Sequence, residues 1–165
     1  MSITNADYSF IDTHCHFDFP PFSGNEVASL SLAAAAGVKH ILIPAVAAVY
    51  FSRILALSLQ FPALHAALGL HPLYVAGHND TDLVTLERYL QQQPDNVIAI
   101  GEIGLDLYMA EPCFERQWEL LTAQLVLAQR YQLPVILHSR RTHDRLAQVL
   151  RRNDVARKGV VHGFA

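Results

Sequence analysis

The sequence predicts a parallel α/β fold of the (β/α) TIM-barrel kind, with about six of the eight strands that a full barrel has. Three observations predict it. Six short apolar runs alternate with helical patterns along 165 residues. Strand starts recur about every 30 residues, the length of a βαβ unit. Residue types that ligate metals follow directly on the apolar runs, at the carboxyl ends where parallel α/β folds place their ligands.

The elements follow in order. Tyr8–Ile11 is a short apolar run that reads as a buried strand. Ser23 and Glu26 then have capping-box spacing, an Ala/Leu face follows, and Gly37 supplies a stop. His40–Ile43 is the second strand, and the helical pattern over about Val46–Gln60 halts at Pro62. Leu64–Leu68 is the third strand, and its helix begins near Asp80–Asp82 and halts at Pro94. Val97–Ile100 is the fourth. The longest helix, about Pro112–Gln132, ends before Pro134, because a proline drives the preceding residue out of the α region. Val135–Leu137 is the fifth strand, about Thr142–Arg152 the fifth helix, and Gly159–Val161 the sixth strand. No linker or composition break divides the chain, so residues 1–165 are expected to form one domain.

Hydrophobic residues make up 52% and charged residues 16%, against a usual charged share of about 25%, which excludes a disordered chain. No apolar run reaches the roughly 20 residues of a membrane span. The start, MSITNADYSF, lacks the basic and apolar regions of a signal peptide. Cys15 and Cys113 are too few for a disulfide framework and fit a reducing cytoplasm, the expected location. A net charge of −3 argues against a broad surface that coats nucleic acid. Seven of the twelve basic residues nevertheless lie in the last 26 positions, from Arg140 to Lys158. They form either a solvated helix face or a rim that faces phosphates.

The strand ends are loaded with polar residues: "IDTHCHFD", "LGLHP", "AIGEIGLD", "VILHSRR" and "VVHGF". Five of the nine histidines, His14, His16, His71, His138 and His162, follow directly on apolar runs, and so does Glu102. His40, His65, His78 and His143 sit elsewhere and read as ordinary. In an extended chain residues i and i+2 share a face, so His14 and His16 aim at one point while Cys15 points away. A His-x-His pair followed by a glutamate and further histidines on later strand ends is the donor set of a metal site. This set selects the barrel over an open, doubly wound sheet. Strands lie about 4.8 Å apart, so a flat sheet would spread these groups too widely to share a metal. The absence of G-x-G-x-x-G after the first strand weakens a dinucleotide-binding reading.

At these residues the sequence resembles the TatD family of metal-dependent hydrolases, close to its YjjV-type members. The resemblance covers essentially the whole chain and rests on "FIDTHCHFDFPPFSG", "ALGLHP", "AIGEIGLDLY", "LPVILHSRRTHD" and "GVVHGF". It implies a barrel of the amidohydrolase type, two divalent metal ions and deoxyribonuclease activity, often at 3′ ends. It makes His14 and His16 ligands of one metal, Glu102 a catalytic bridge between both, and His138 and His162 ligands of the second. A histidine-rich set suits zinc, manganese, cobalt or iron better than magnesium. The family pattern continues past "HGF" to a later metal-binding aspartate that no residue here matches. The chain is therefore expected to be the front part of a barrel, with free strand edges that invite self-association.

The expected partner is nucleic acid or a small phosphoester, with no membrane. Arg140 either holds a flanking phosphate or pairs with a carboxylate. His71 contacts substrate, braces the site or belongs to a structural turn. Asp106 orders the loop after strand four or serves the motif, and Asp18 is a supporting or a turn residue. Three readings stand: a phosphodiesterase that acts on DNA ends through metal-activated water, an ester or amide hydrolase of the same superfamily, and an inactive metal-binding fragment.

Overall fold

A computed structural model describes residues 9–92 and 94–162. Tyr8, which opens the first predicted strand, and Gly163, which follows His162, lie outside the described residues. The strands are β1 (Phe10–Asp12), β2 (Val38–Pro44), β3 (Leu64–Leu68), β4 (Val97–Asp106), β5 (Val135–Arg140) and β6 (Gly159–His162). The helices are α1 (Glu26–Ala35), α2 (Phe51–Gln60), α3 (Asp80–Gln91), α4 (Phe114–Arg130) and α5 (His143–Arg152). All strand pairs are parallel and the sheet order is sequential, β1 to β6. Among the described residues no helix is long and apolar enough to cross a membrane.

The sheet is strongly curled. Its outer strands would lie about 24 Å apart in a flat sheet with about 4.8 Å per step. Yet the ring of His14, just behind β1, stacks on that of His162, the last residue of β6, with centroids 3.5 Å apart. Alternation along the strands divides the packing. Ile41 and Ile43, Leu64 and Leu68, and Val135 and Leu137 face the helices and form the main core. Leu42, Ala67, Ala99 and Ile136 meet on the inside of the curl. The two alanines there let the strands bend towards one another, and His138 and Arg140 continue the inner column begun by Ile136.

Three local expectations change. Ser23 does not cap α1: its hydroxyl accepts a hydrogen bond from Arg53, and Glu26 accepts one from the Gly24 N–H at 2.9 Å. Gly37 ends that helix as expected, with φ +88°. The second helix does not reach back to Val46. Ala48–Tyr50 is a 3-10 turn, and α2 starts at Phe51. The carbonyls of Ala45 and Val46 are already used, accepting from the N–H groups of Glu102 and His71 at 3.0 Å each, so they serve the strand ends instead of a helix. β4 runs six residues past the apolar run at Ile100, because Glu102 and Asp106 are strand residues that face a polar site. Its pairing with β5 shifts register between Ile100 and Ile103. A shift of this kind re-aims side chains beside a site. At Gly104, φ is +146°, and a Cβ there would lie 2.0 Å from the His138 carbonyl oxygen.

α4 is tied to the strand ends by two buried glutamines, two helical turns apart on one face. Gln117 Oε1 accepts from the Asp106 N–H at 2.7 Å, and its Nε2 donates to the Asp106 carbonyl at 2.9 Å. Gln124 does the same for Leu70, at 2.7 and 3.4 Å.

Candidate metal centre

Glu102 is the centre of the site. It lies on β4 with 2% of its side chain exposed. Its Oε2 is 3.1 Å from His14 Nε2, 3.3 Å from His71 Nε2 and 3.7 Å from His16 Nε2, and its Oε1 is 3.2 Å from His138 Nδ1. Burial pushes this carboxyl group up. The imidazoles of His138, His14 and His71 outweigh that and hold it ionised, well below the usual carboxylate range.

Each histidine is held differently. His138 Nε2 meets Asp106 Oδ2 at 2.7 Å, and the fully buried Asp106 also accepts the Tyr108 N–H at 2.7 Å. This carboxylate fixes the ring so that Nδ1 faces Glu102. Burial lowers the His138 pKa, but its bonds to Glu102 and Asp106 win and raise it. His71 Nδ1 accepts the Leu73 N–H at 3.1 Å. The neutral ring therefore carries its proton on Nε2, the nitrogen that faces Glu102. His78 Nε2 lies 2.9 Å from the His71 carbonyl oxygen and fastens that turn. His16 and His162 are both pushed towards the neutral form, first by burial and next by His14.

Among the described residues two sets of donor atoms each gather within 4.8 Å: those of His14, His16 and Glu102, and those of His71, Glu102 and His138. Both use Glu102. A divalent metal fits this arrangement. Among the described residues, Nδ1 of His14 and Nδ1 of His16 are buried with no hydrogen-bond partner, and Nε2 of His14 has only its contact with Glu102. Buried polar atoms are ordinarily paired, and nitrogen lone pairs of neutral imidazoles beside a carboxylate are ligands for a cation. The donors open on a cavity of about 430 Å³, whose wall also includes Ser139, Arg140, Arg141, His143 and His162.

The family described as TatD related DNase matches residues 11–165. The chain belongs to the TatD family. It is 60% identical over 156 residues to the metal-dependent hydrolase YjjV of Escherichia coli strain K12, covering 94% of this chain and 60% of that protein. The crystal structure of YjjV superposes with a TM-score of 0.93 over the same shares of the two chains. A TatD family hydrolase of Entamoeba histolytica, 26% identical, gives a TM-score of 0.83 over 94% of this chain and 58% of its own. A Pantoea protein named 3′-5′ ssDNA/RNA exonuclease TatD is 39% identical over 82 residues, 50% of this chain and 31% of that protein. The chain thus spans about 60% of the length of the first curated relatives it matches.

Within this TatD site, His14, His16, His71, Glu102 and His138 come together as the strand-end pattern predicts. His162 lines the same cavity and stacks on His14, but it stands outside both donor sets. Arg140 has no carboxylate within ion-pair distance among the described residues; its guanidinium lies 3.8 Å from the centroid of the Tyr108 ring. Asp106 both orders its loop and holds His138. Asp18 is buried with neither carboxylate oxygen hydrogen-bonded among the described residues, and burial pushes its pKa up. Sequence reasoning missed two histidines. His143 lines the cavity with Nδ1 2.9 Å from Ser139 Oγ, and His78 braces His71. The first residue of a helix that follows a loaded strand end was the available signal for His143. Nothing local marks His78, whose partner is a backbone oxygen seven residues away.

Proposed function

We propose that this chain is a divalent-metal-dependent hydrolase of phosphodiester bonds, acting at the ends of nucleic acid strands, with two ions sharing Glu102. The observation that carries this reading is one buried carboxylate ringed by imidazoles, in a cavity whose wall also carries an arginine with no carboxylate in ion-pair range among the described residues. The name of the Pantoea relative supports nucleic acid as the substrate class. His14 and His16 would hold one ion together with Glu102. His138, set by Asp106, would hold a second with Glu102, and His162, which lines the same cavity, would be a further ligand there. Divalent ions bound there supply Lewis acidity, which lowers the pKa of water and stabilises charge on phosphoryl oxygens. Nitrogen donors in this number favour zinc, manganese, cobalt or iron over magnesium.

The remaining residues position substrate. His71, with its proton fixed on Nε2, is a donor and not a ligand: coordination through Nε2 would require that proton to leave while Nδ1 still accepts the Leu73 N–H. It orients Glu102 and can donate to a phosphoryl oxygen. Arg140 offers a planar fork to phosphate oxygens at the cavity mouth.

The test is elemental analysis of the dialysed chain, followed by incubation with single-stranded DNA, with and without chelator. About two ions per chain and chelator-sensitive shortening of the strand are expected. A chain that holds less than about one ion, or that cleaves carboxylic esters but no phosphodiester, overturns the reading.

A further inference from the structure

Arg140 and Arg141 are consecutive, and both guanidiniums lie against one aromatic ring. Arg140 is 3.8 Å and Arg141 4.3 Å from the centroid of Tyr108. Consecutive residues of an extended strand point to opposite faces. Here β5 ends at Arg140, and Arg141 has φ +58°, a left-handed conformation that turns the chain and brings both side chains to the same ring. L residues adopt this conformation rarely, and it concentrates at functional sites. Tyr108 is held in turn. Its own N–H binds Asp106 Oδ1 at 2.7 Å, and the neighbouring Leu107 N–H binds the Arg140 carbonyl at 3.0 Å.

Two like charges are thus held side by side. Among the described residues neither has a carboxylate within ion-pair distance, and Glu102 is the sole acidic residue of the cavity wall. Glu102 is committed to its imidazoles. Cation–π contact with Tyr108 offsets part of the repulsion but supplies no counter-charge. An internal phosphodiester carries one negative charge, whereas a terminal phosphate carries about −1.5 to −2 near neutral pH and has three acceptor oxygens. Two guanidinium forks match the second far better than the first.

Position adds to charge. Arg140 lies two residues beyond His138 on the same face of β5, roughly 7 Å along the strand. This distance is comparable to the reach of one extended nucleotide. A phosphodiester placed at Glu102 and His138 would put the next phosphate of the same strand at the arginine pair.

We propose that Arg140 and Arg141, clamped on Tyr108, form a subsite for a terminal phosphate dianion, so that the preferred ligand is a nucleic acid end that carries a phosphate one nucleotide from the bond at the metal centre. The proposal rests on the phosphodiesterase reading for the identity of its ligand, but its test does not depend on catalysis. The chain, stripped with chelator, is titrated calorimetrically at about pH 7.5, where a terminal phosphate is mostly dianionic. The ligands are thymidine dinucleotides with a 3′-phosphate, with a 5′-phosphate and with neither. At least one phosphorylated dinucleotide should bind about tenfold or more tightly than the unphosphorylated one, and the arm that gains identifies the end recognised. The preference should vanish in Arg140→Gln and in Arg141→Gln and persist in Tyr108→Phe, which keeps the ring. All three side chains are exposed, so these variants should fold. Binding of all three ligands within about twofold, or a preference that survives both arginine substitutions, overturns the subsite. A clear preference in a chain that later cleaves nothing would sink the hydrolase reading and leave the subsite standing. Cleavage that ignores the terminal phosphate would do the reverse.

Discussion

Replacing Gln117 by leucine should cost the chain about 3 kcal/mol, although Gln117 touches no proposed ligand. The side chain is 1% exposed and makes three close bonds to main-chain groups: it accepts from the Asp106 N–H at 2.7 Å and donates to the carbonyls of Asp106 at 2.9 Å and of Pro112 at 2.6 Å. Leucine fills a similar volume and makes none of these bonds. A buried polar group left unpaired costs about 1–3 kcal/mol, and the Asp106 N–H bears the full amount because it has one proton to place. The carbonyls each add a smaller loss, and extra apolar burial returns a part, which gives the sum above. Urea unfolding followed by circular dichroism reads it as a lower midpoint at unchanged slope. Asp106 also fixes His138, so metal affinity should fall with stability. A loss below about 1 kcal/mol with metal affinity intact would refute the reasoning: it would mean that water enters and replaces the glutamine without disturbing the end of β4.

Other substitutions test neighbouring steps. Asp106→Asn should weaken metal binding about 10–100-fold in a chelator competition, because the asparagine no longer fixes the His138 tautomer; unchanged affinity would show that Glu102 alone orients that ring. Gly104→Ala should destabilise by about 3–5 kcal/mol, since its Cβ would meet the His138 carbonyl at 2.0 Å with φ at +146°; a chain of normal urea midpoint would place β4 and β5 farther apart than they are. Stability should also fall in acid. Burial lowers the folded pKa of His65, helped by His40, and that of His78, from about 6.5. Their contribution is present above about pH 6.5 and is lost as pH falls through the lowered folded values, because the unfolded chain then binds more protons. His138, whose pKa is raised, works in the opposite sense and loses its contribution as pH rises through its folded value. His78→Gln should flatten the acid limb of a urea-midpoint profile, and an unchanged slope would exclude His78 as a source.

The parallel architecture was legible because burial on both faces leaves short apolar runs, and those runs punctuate the sequence at βαβ spacing. The clustering of the candidate donor residues was legible for a related reason: a histidine directly behind such a run sits at a strand's carboxyl end, whatever the curvature. What could not be read depends on contacts across space. The expected end of β4 at Ile100 falls short because polarity inside a strand imitates a loop, and Glu102 looks the same in sequence whether it follows a strand or belongs to one. The helix expected from Val46 fails because the Ala45 and Val46 carbonyls accept from Glu102 and His71, residues far along the chain. Gln117 and Gln124 read as polar positions on an amphipathic helix. Their role appears only once α4 lies against the ends of β3 and β4.

The candidate metal centre explains why the inner face of the curl carries so little apolar packing beside it. Leu42, Ala67, Ala99 and Ile136 form a small inner cluster, and beyond them the strands turn over to charged and imidazole groups. By itself this layer is a cost to folding. Glu102 is taken out of water, His14 Nδ1 and His16 Nδ1 are buried unpaired, and two arginines stand together with no carboxylate in ion-pair range among the described residues. The expense is tolerable because the outer layer holds a large buried apolar cluster, including Ile41, Ile43, Leu68, Leu125 and Val149. A cation among the imidazoles and an anion at the arginines would each relieve a strain that the polypeptide cannot relieve internally. Binding of either should therefore stabilise the fold by mass action, and binding of both should be cooperative, since each adds the charge that the other requires. A thermal melt with zinc, with phosphate and with the two together separates this from independent sites: the combined shift in Tm should exceed the sum of the separate shifts, and simple additivity would show that the two halves of the cavity do not sense one another.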